Sequence, residues 1–190
     1  MRRLLRLFRS GPELEKPGAA RAVNRRRAEL AQLSDQQLRS AGREANDLQE
    51  VIAVTAVVAS RVVGLDLFEV QAEGALALAN GKIVEMQTGE GKTLAAVPAI
   101  VWYAKQGRGV HVMTVNDYLA QRDARWMGPI YEFLGLSTGC IQQGMTTAQR
   151  QRAYHCESPM PPRTRPASTT CATSLRSTPK TRSTARSRPP

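Results

Sequence analysis

A short glycine-rich segment contains the residue types with the clearest chemistry in this sequence. It runs from Gly89 through Glu90 and Gly91 to Lys92 and Thr93. Such a Gly-Lys-Thr ending places backbone N–H groups and a lysine charge around a phosphate, and it offers the threonine hydroxyl to Mg²⁺. Glycine allows the phosphate to approach closely because it has no Cβ atom. The segment therefore predicts a phosphate-binding loop. Lys92 and Thr93 are its candidate catalytic residues, and Thr93 is also the candidate ligand of Mg²⁺.

The elements around this segment must position it, because the pattern itself is incomplete. The full G-x-x-x-x-G-K-[ST] motif has glycine where this chain has Met86. Residues 83–86 predict a strand, residues 94–104 an apolar helix kinked by Pro98, and residues 110–115 a second, buried strand. The alternative is a glycine-rich turn that only joins a strand to a helix. The order of strand, loop, helix and strand favours the nucleotide site.

Helices are predicted ahead of the loop. The first spans about residues 20–32, and Ser34 with Gln37 forms a capping box for the second. A third, over about residues 43–63, ends at Gly64 and has one apolar face. That face consists of Leu48, Val51, Ile52, Thr55, Val58, Ala59, Val62 and Val63.

After the second strand, helices and strands continue to alternate. Residues 116–117 cap a helix that residues 128–129 should interrupt, and residues 136–141 predict a third strand. Thr146 or Thr147 then caps a last helix. This alternation predicts an α/β fold with a parallel sheet and helices on its faces.

The net charge of +11 lies at the two ends of the chain. Residues 1–27 hold nine basic and two acidic side chains, residues 28–157 eleven and fourteen, and residues 158–190 seven and none. The central part is therefore slightly acidic, so we expect no nucleic-acid partner. The three cysteines lack zinc-site spacing and form an odd number, which fits a reducing, cytosolic setting.

Both ends differ in composition from the centre. Residues 1–9 mix arginine with leucine and phenylalanine, which is typical either of a short helix on anionic lipid or of a solvated terminus. Residues 158–190 hold seven Pro, six Ser, seven Thr and six Arg, so they predict disorder. They are either a genuine basic tail or the translation of a shifted reading frame. The abrupt change inside an expected element favours the shifted frame.

Three strings of residues together resemble the N-terminal part of a SecA-type preprotein translocase ATPase. They are Phe68-Glu69-Val70-Gln71, the stretch from Glu85 to Thr93 with its Met86, and the stretch from Gly109 to Asp123. The resemblance implies an incomplete P-loop sheet of the RecA-like, superfamily-two helicase type, preceded by helices and followed by the disordered tail. It divides the chain into residues 1–19, a truncated nucleotide-binding domain over residues 20–157, and residues 158–190.

The resemblance also implies cofactors and site residues. It matches Gln71 to an adenine-contacting glutamine, residues 89–93 to the phosphate loop, and residues 117–123 to a segment that couples nucleotide state to the motor. ATP and Mg²⁺ are the implied cofactors. The departures around Gln71, including the absence of a Gly-Gly after it, favour an accessory branch of the family.

The implied partners are the SecYEG channel, unfolded preproteins, anionic lipid through residues 1–9, and a second copy of the chain. The implied location is cytoplasmic and peripheral to the cell membrane. Because no acidic metal-binding motif follows Glu157, we expect weak nucleotide binding without hydrolysis. The alternative is a helicase-like fragment with a basic tail. A nucleic-acid helicase would have a Pro-Thr-Arg-Glu-Leu-like segment in place of residues 114–119.

Overall fold

A computed structural model describes residues 18–107, 109–154 and 171–177. The expectations for residues 1–17, and those for most of residues 155–190, lie outside the described residues. The helices and strands are α1 (Ala19–Leu30), α2 (Asp35–Glu44), α3 (Leu48–Val63), α4 (Glu69–Ala79), α5 (Lys92–Lys105), β1 (Val110–Thr114), α6 (Asp117–Phe133), β2 (Leu136–Cys140), α7 (Thr147–Tyr154) and β3 (Cys171–Ser177).

Local capping residues determine where several helices begin. Ser34 accepts a hydrogen bond from the Gln37 amide, and the Gln37 side chain accepts from the Ser34 amide, which confirms the predicted capping box of α2. Asn116 caps α6 by accepting from the Leu119 amide at 2.9 Å. Thr146 forms the same reciprocal pair with Gln149 ahead of α7. These contacts satisfy N–H groups that have no partner within the helix.

Helix α3 lies at the centre of the core. All nine residues from Val51 to Ala59 are buried, because α1, α2, α4, α5 and α6 pack around this helix. The predicted apolar face therefore includes too few residues, because every residue in the middle turns of this helix is buried. The Thr55 hydroxyl donates to the Val51 carbonyl at 2.7 Å, which satisfies the polar group buried there. Gly64 ends the helix in the left-handed conformation, with φ of 69°.

The sheet differs from the predicted parallel one. Its order is β1-β3-β2, and β3 pairs antiparallel with both neighbours. Residues 171–177 thus form a strand within the segment whose composition predicts disorder. This strand lies in residues 167–178, the longest proline-free stretch of that segment. Its N–H groups can therefore pair with the ladder groups of β1 and β2.

The predicted strand before the loop is not formed. Residues 83–86 are extended, and their side chains alternate between exposed and half-buried, with Ile83 fully exposed. The pattern for a strand is present, but a strand also requires a hydrogen-bonded neighbour, and β1 pairs with β3. Val84 and Met86 lie instead over α4. Their side chains come within 3.6 and 3.7 Å of a Cβ atom built on Gly74.

Helix α6 continues through Gly128 and Pro129, so the predicted interruption is wrong. Proline removes one N–H donor from the helix. The helix packs on the core on both sides of this proline, through the buried residues Met127, Ile130, Tyr131 and Phe133.

Among the helices of the described residues, none combines the length and the apolar character that a membrane span requires.

Lys105 joins the end of α5 to the end of α2. Its ammonium donates to the Gly42 carbonyl and, at 3.1 Å, to the Arg43 carbonyl. Burial lowers the pKa of Lys105. The two carbonyl contacts offset the cost of burying the charge, since carbonyls at the end of a helix attract cations.

Replacing Lys105 with methionine should weaken this junction. Lys105→Met keeps most of the aliphatic stem and removes the ammonium, so we expect the free energy of unfolding to fall by about 1 kcal/mol. Urea denaturation followed by circular dichroism measures the change. Lys82→Met is the control, because Lys82 is exposed on the turn after α4. An equal loss in both variants would contradict the structural role.

Candidate phosphate-binding site

The glycine-rich segment is the N-terminal end of α5. Gly91 caps the helix with φ of 75°, and the Ala95 amide donates to the Gly91 carbonyl at 3.0 Å. The amides of Lys92, Thr93 and Leu94 therefore precede the first intrahelical hydrogen bond. A helix terminus of this kind attracts anions through its N–H groups and its dipole.

Lys92 forms a hydrogen bond within the loop itself. The Gln87 carbonyl accepts from the Lys92 ammonium at 2.6 Å and from the Glu90 amide at 3.3 Å. The Gln87 amide donates to Glu90 Oε2 at 2.6 Å. The main chain of Gln87 is thus bonded at both its N–H and its carbonyl by the side chains of Glu90 and Lys92.

Gln71 connects this loop to the helical core. Its side chain is buried, with 4% of the residue exposed, and its Nε2 donates to the Glu90 carbonyl at 2.8 Å. Its Oε1 accepts from the Phe68 amide at 2.9 Å, at the start of α4. An amide side chain has one more N–H and one more lone pair than these two bonds use. That remaining pair is what hydrogen bonding to an adenine edge requires.

The two loop glycines are needed for different reasons. Gly89 and Gly91 both have positive φ, 91° and 75°, which side chains rarely adopt. A Cβ atom built on Gly89 meets nothing within 4 Å. A Cβ atom built on Gly91 would lie 2.3 Å from Nε2 of Gln71. Only glycine at position 91 therefore permits the contact between Gln71 and the loop.

The six predicted site residues lie together at one end of α5. Gly89, Glu90, Gly91 and Lys92 are exposed, Thr93 is half-buried, and Gln71 is buried beneath them. An exposed ammonium beside helix N-terminal amides fits a polyphosphate. No group of three His, Cys, Asp or Glu side chains that could hold a metal occurs among the described residues. Mg²⁺ bound here would take Thr93, phosphate oxygens and water as ligands, which suits that ion.

The segment predicted to couple nucleotide state to the rest of the motor is the first half of α6. Asp117 accepts from the Gln143 amide at 2.6 Å, which joins α6 to the loop after β2. Arg122 donates to Asp123 at 2.7 Å. None of the hydrogen bonds found in the described ranges joins this segment to the phosphate loop. Its coupling role stays a prediction.

Sequence reasoning missed the role of Gln87 and the Glu90 carboxylate contact. A usable signal was present, because an acidic side chain three residues after an amide is the spacing that returns to that amide in a capping box. The rest of the loop geometry depends on Gln71, which is sixteen residues away from Gln87 in the sequence.

Comparison with known proteins matches residues 14–158 to the SecA DEAD-like domain. The chain is 50% identical over 143 residues to the protein translocase subunit SecA of Rubrobacter xylanophilus. It is 46% identical over 138 residues to protein translocase subunit SecA 3 of Mycolicibacterium vanbaalenii, and 54% identical over 110 residues to protein translocase subunit SecA of Synechococcus sp. (strain WH7803).

These alignments cover most of this chain and a small part of each relative. They include 70%, 68% and 58% of the present chain, and 16%, 18% and 12% of the respective relatives. The chain thus spans less than a fifth of the length of these relatives. The aligned part is the one that contains the loop.

Alanine substitutions at the two glycines should separate backbone strain from the Gln71 contact. We expect Gly89→Ala to lower the free energy of unfolding by about 1 kcal/mol, through strain at positive φ alone. Gly91→Ala should lower it by about 2 to 3 kcal/mol, because it also displaces the buried amide. Urea denaturation of both variants measures the difference. Equal losses would show that the Gln71 contact contributes little.

Proposed function

Because the chain belongs to the SecA DEAD-like domain family, we propose that it is the ATP-binding part of a preprotein translocase. The observation that supports this most directly is the buried Gln71 amide, bonded to the phosphate-binding loop at the start of α5. This hydrogen bond joins Gln71, which is expected to contact the adenine base, to the loop that is expected to hold the phosphates.

Each site residue has a distinct part in the proposed binding. Lys92 exchanges its bond with the Gln87 carbonyl for one with a phosphate oxygen, and the α5 amides hold the remaining oxygens. Thr93 offers its hydroxyl to Mg²⁺. Gln71 uses its remaining N–H and lone pair for adenine, which distinguishes adenine from guanine. Bound Mg·ATP would supply the phosphoryl group whose transfer drives a motor of this class.

The proposed larger role is export of unfolded preproteins through the SecYEG channel, with ATP hydrolysis as the energy source. The relatives' names as protein translocase subunits support it. We further propose peripheral association with the cytoplasmic face of the membrane, through residues 1–9 and anionic lipid. Pairing with a second copy and membership of an accessory branch belong to the same proposal.

The comparisons and the charge distribution do not favour the nucleic-acid helicase. The relatives named above are protein translocase subunits, and residues 28–157 have a net charge of −3. A helicase binds the phosphate backbone through Lys and Arg, and the central part of this chain has no excess of these residues.

Removing the Lys92 charge should weaken nucleotide binding. We expect Lys92→Ala to weaken Mg·ATP binding at least about tenfold, because a charge-assisted contact to phosphate is lost. Isothermal titration calorimetry on the full 190-residue chain measures the affinity. Lys82→Ala is the matched control, since it removes an exposed lysine charge ten residues earlier. Equal affinity in the two variants, or no binding by the unaltered chain, would overturn the proposal.

This polypeptide should bind Mg·ATP without hydrolysing it. The chain has no acidic residue after Glu157, and phosphoryl transfer in this class uses a carboxylate to hold the metal. We expect the isolated 190-residue chain to bind Mg·ATP and to release inorganic phosphate no faster than the Lys92→Ala variant. A phosphate-release assay tests this. Lys92-dependent hydrolysis at a rate of about 1 s⁻¹, within the usual range of enzymes, would contradict it.

A further inference from the structure

We propose that the Glu90 carboxylate is an affinity-determining group that competes with phosphate for the loop. Glu90 accepts a hydrogen bond from the Gln87 amide and must leave before that amide can bind a phosphate oxygen. This inference rests on the proposed nucleotide site. It adds a role for Glu90 opposite to the phosphate-holding one that its place in the loop pattern implies.

The geometry of the loop supports this competition. Glu90 Oε2 accepts from the Gln87 amide at 2.6 Å, and Lys92 donates to the Gln87 carbonyl at 2.6 Å. The anionic and cationic side chains on either side of Gly91 therefore both bond to the main chain of one residue. The Glu90 carboxylate is thus bonded to a main-chain amide of the same loop that is proposed to hold the phosphates.

Charge makes the two occupants mutually exclusive. A carboxylate and a polyphosphate are both anions, and an N–H group makes one strong charge-assisted hydrogen bond at a time. Like charges held a few ångströms apart also repel each other. The nucleotide therefore binds to those molecules in which Glu90 has turned away. The apparent association constant equals the intrinsic one multiplied by the fraction of molecules in which the carboxylate has turned away.

The side chain of Glu90 can leave without moving the loop backbone. Glu90 is exposed, so its carboxylate can exchange the Gln87 amide for water. Its own carbonyl remains bonded to the buried Gln71 amide at 2.8 Å. The main chain at position 90 is fixed while the side chain is free to rotate. Glu90 is therefore a movable group on a fixed support.

Glu85 provides a matched control within the same segment. It is exposed, it has the same charge and length, and it lies two residues before Gln87. None of the hydrogen bonds identified among the described residues joins the Glu85 carboxylate to the Gln87 amide, whereas Glu90 makes that bond. Removing either charge changes the net charge of the chain equally. Only the change at position 90 weakens the bond to Gln87.

The test compares Glu90→Gln, Glu90→Ala and Glu85→Gln with the unaltered 190-residue chain. Isothermal titration calorimetry with Mg·ADP, and separately with tripolyphosphate, measures affinity with and without the base. We expect both Glu90 variants to bind each ligand roughly threefold to tenfold more tightly, from loss of one exposed charge-assisted bond. Glu85→Gln should change the affinity less than about twofold. Circular dichroism verifies that every variant keeps the helical content of the unaltered chain.

The outcomes separate this inference from the proposed function. Tighter binding in the Glu90 variants alone, measured against detectable binding by the unaltered chain, supports the inference. Lys92-dependent binding that is unchanged or weaker in the Glu90 variants would overturn the inference and leave the proposed function intact. Equal tightening by Glu85→Gln would reduce the effect to net charge and also overturn it. Failure of every variant to bind either ligand would overturn both.

Discussion

The contact between the Gln71 amide and the Glu90 carbonyl is the interaction on which the arrangement of the site depends. One end of this buried amide fixes the start of α4, and the other fixes the loop that opens α5. Removing such a bond leaves a buried polar group unsatisfied, which costs more than the bond itself contributes. The glycine at position 91 keeps this contact possible. The loop, Gln71 and the start of α4 are therefore one physical unit.

The helical core gives this unit a rigid support. The Tyr103 hydroxyl donates to the Ala79 carbonyl at 2.9 Å, so the far end of α5 is also attached to α4. Lys105 attaches the same end to α2. Helix α3 lies beneath them, buried along its middle turns. With α5 held at both ends, ligand binding can rearrange side chains such as Lys92 and Glu90 without moving the helix.

The sequence predicted those features whose causes lie close together in the chain. The caps at Ser34 and Asn116 and the stop at Gly64 follow from interactions within a few residues, and the structure confirms them. The parallel sheet is not confirmed, because strand pairing depends on which distant segment supplies a partner. Residues 83–86 alternate between exposed and half-buried side chains, as in a strand, but they pair with no neighbouring strand among the described residues. Gln71 was placed near the loop by family resemblance, since its bond spans nineteen residues.

The order of the elements along the chain has a consequence for how the protein is made. Helices α1 to α5, which include the loop and its Gln71 support, all lie between residues 19 and 105. Their packing around α3 can therefore begin while later residues are still inside the ribosome. The β1-β3-β2 ladder has to wait for Ser177 to emerge. Vectorial synthesis would thus assemble the candidate phosphate-binding site before the last strand of the sheet becomes available.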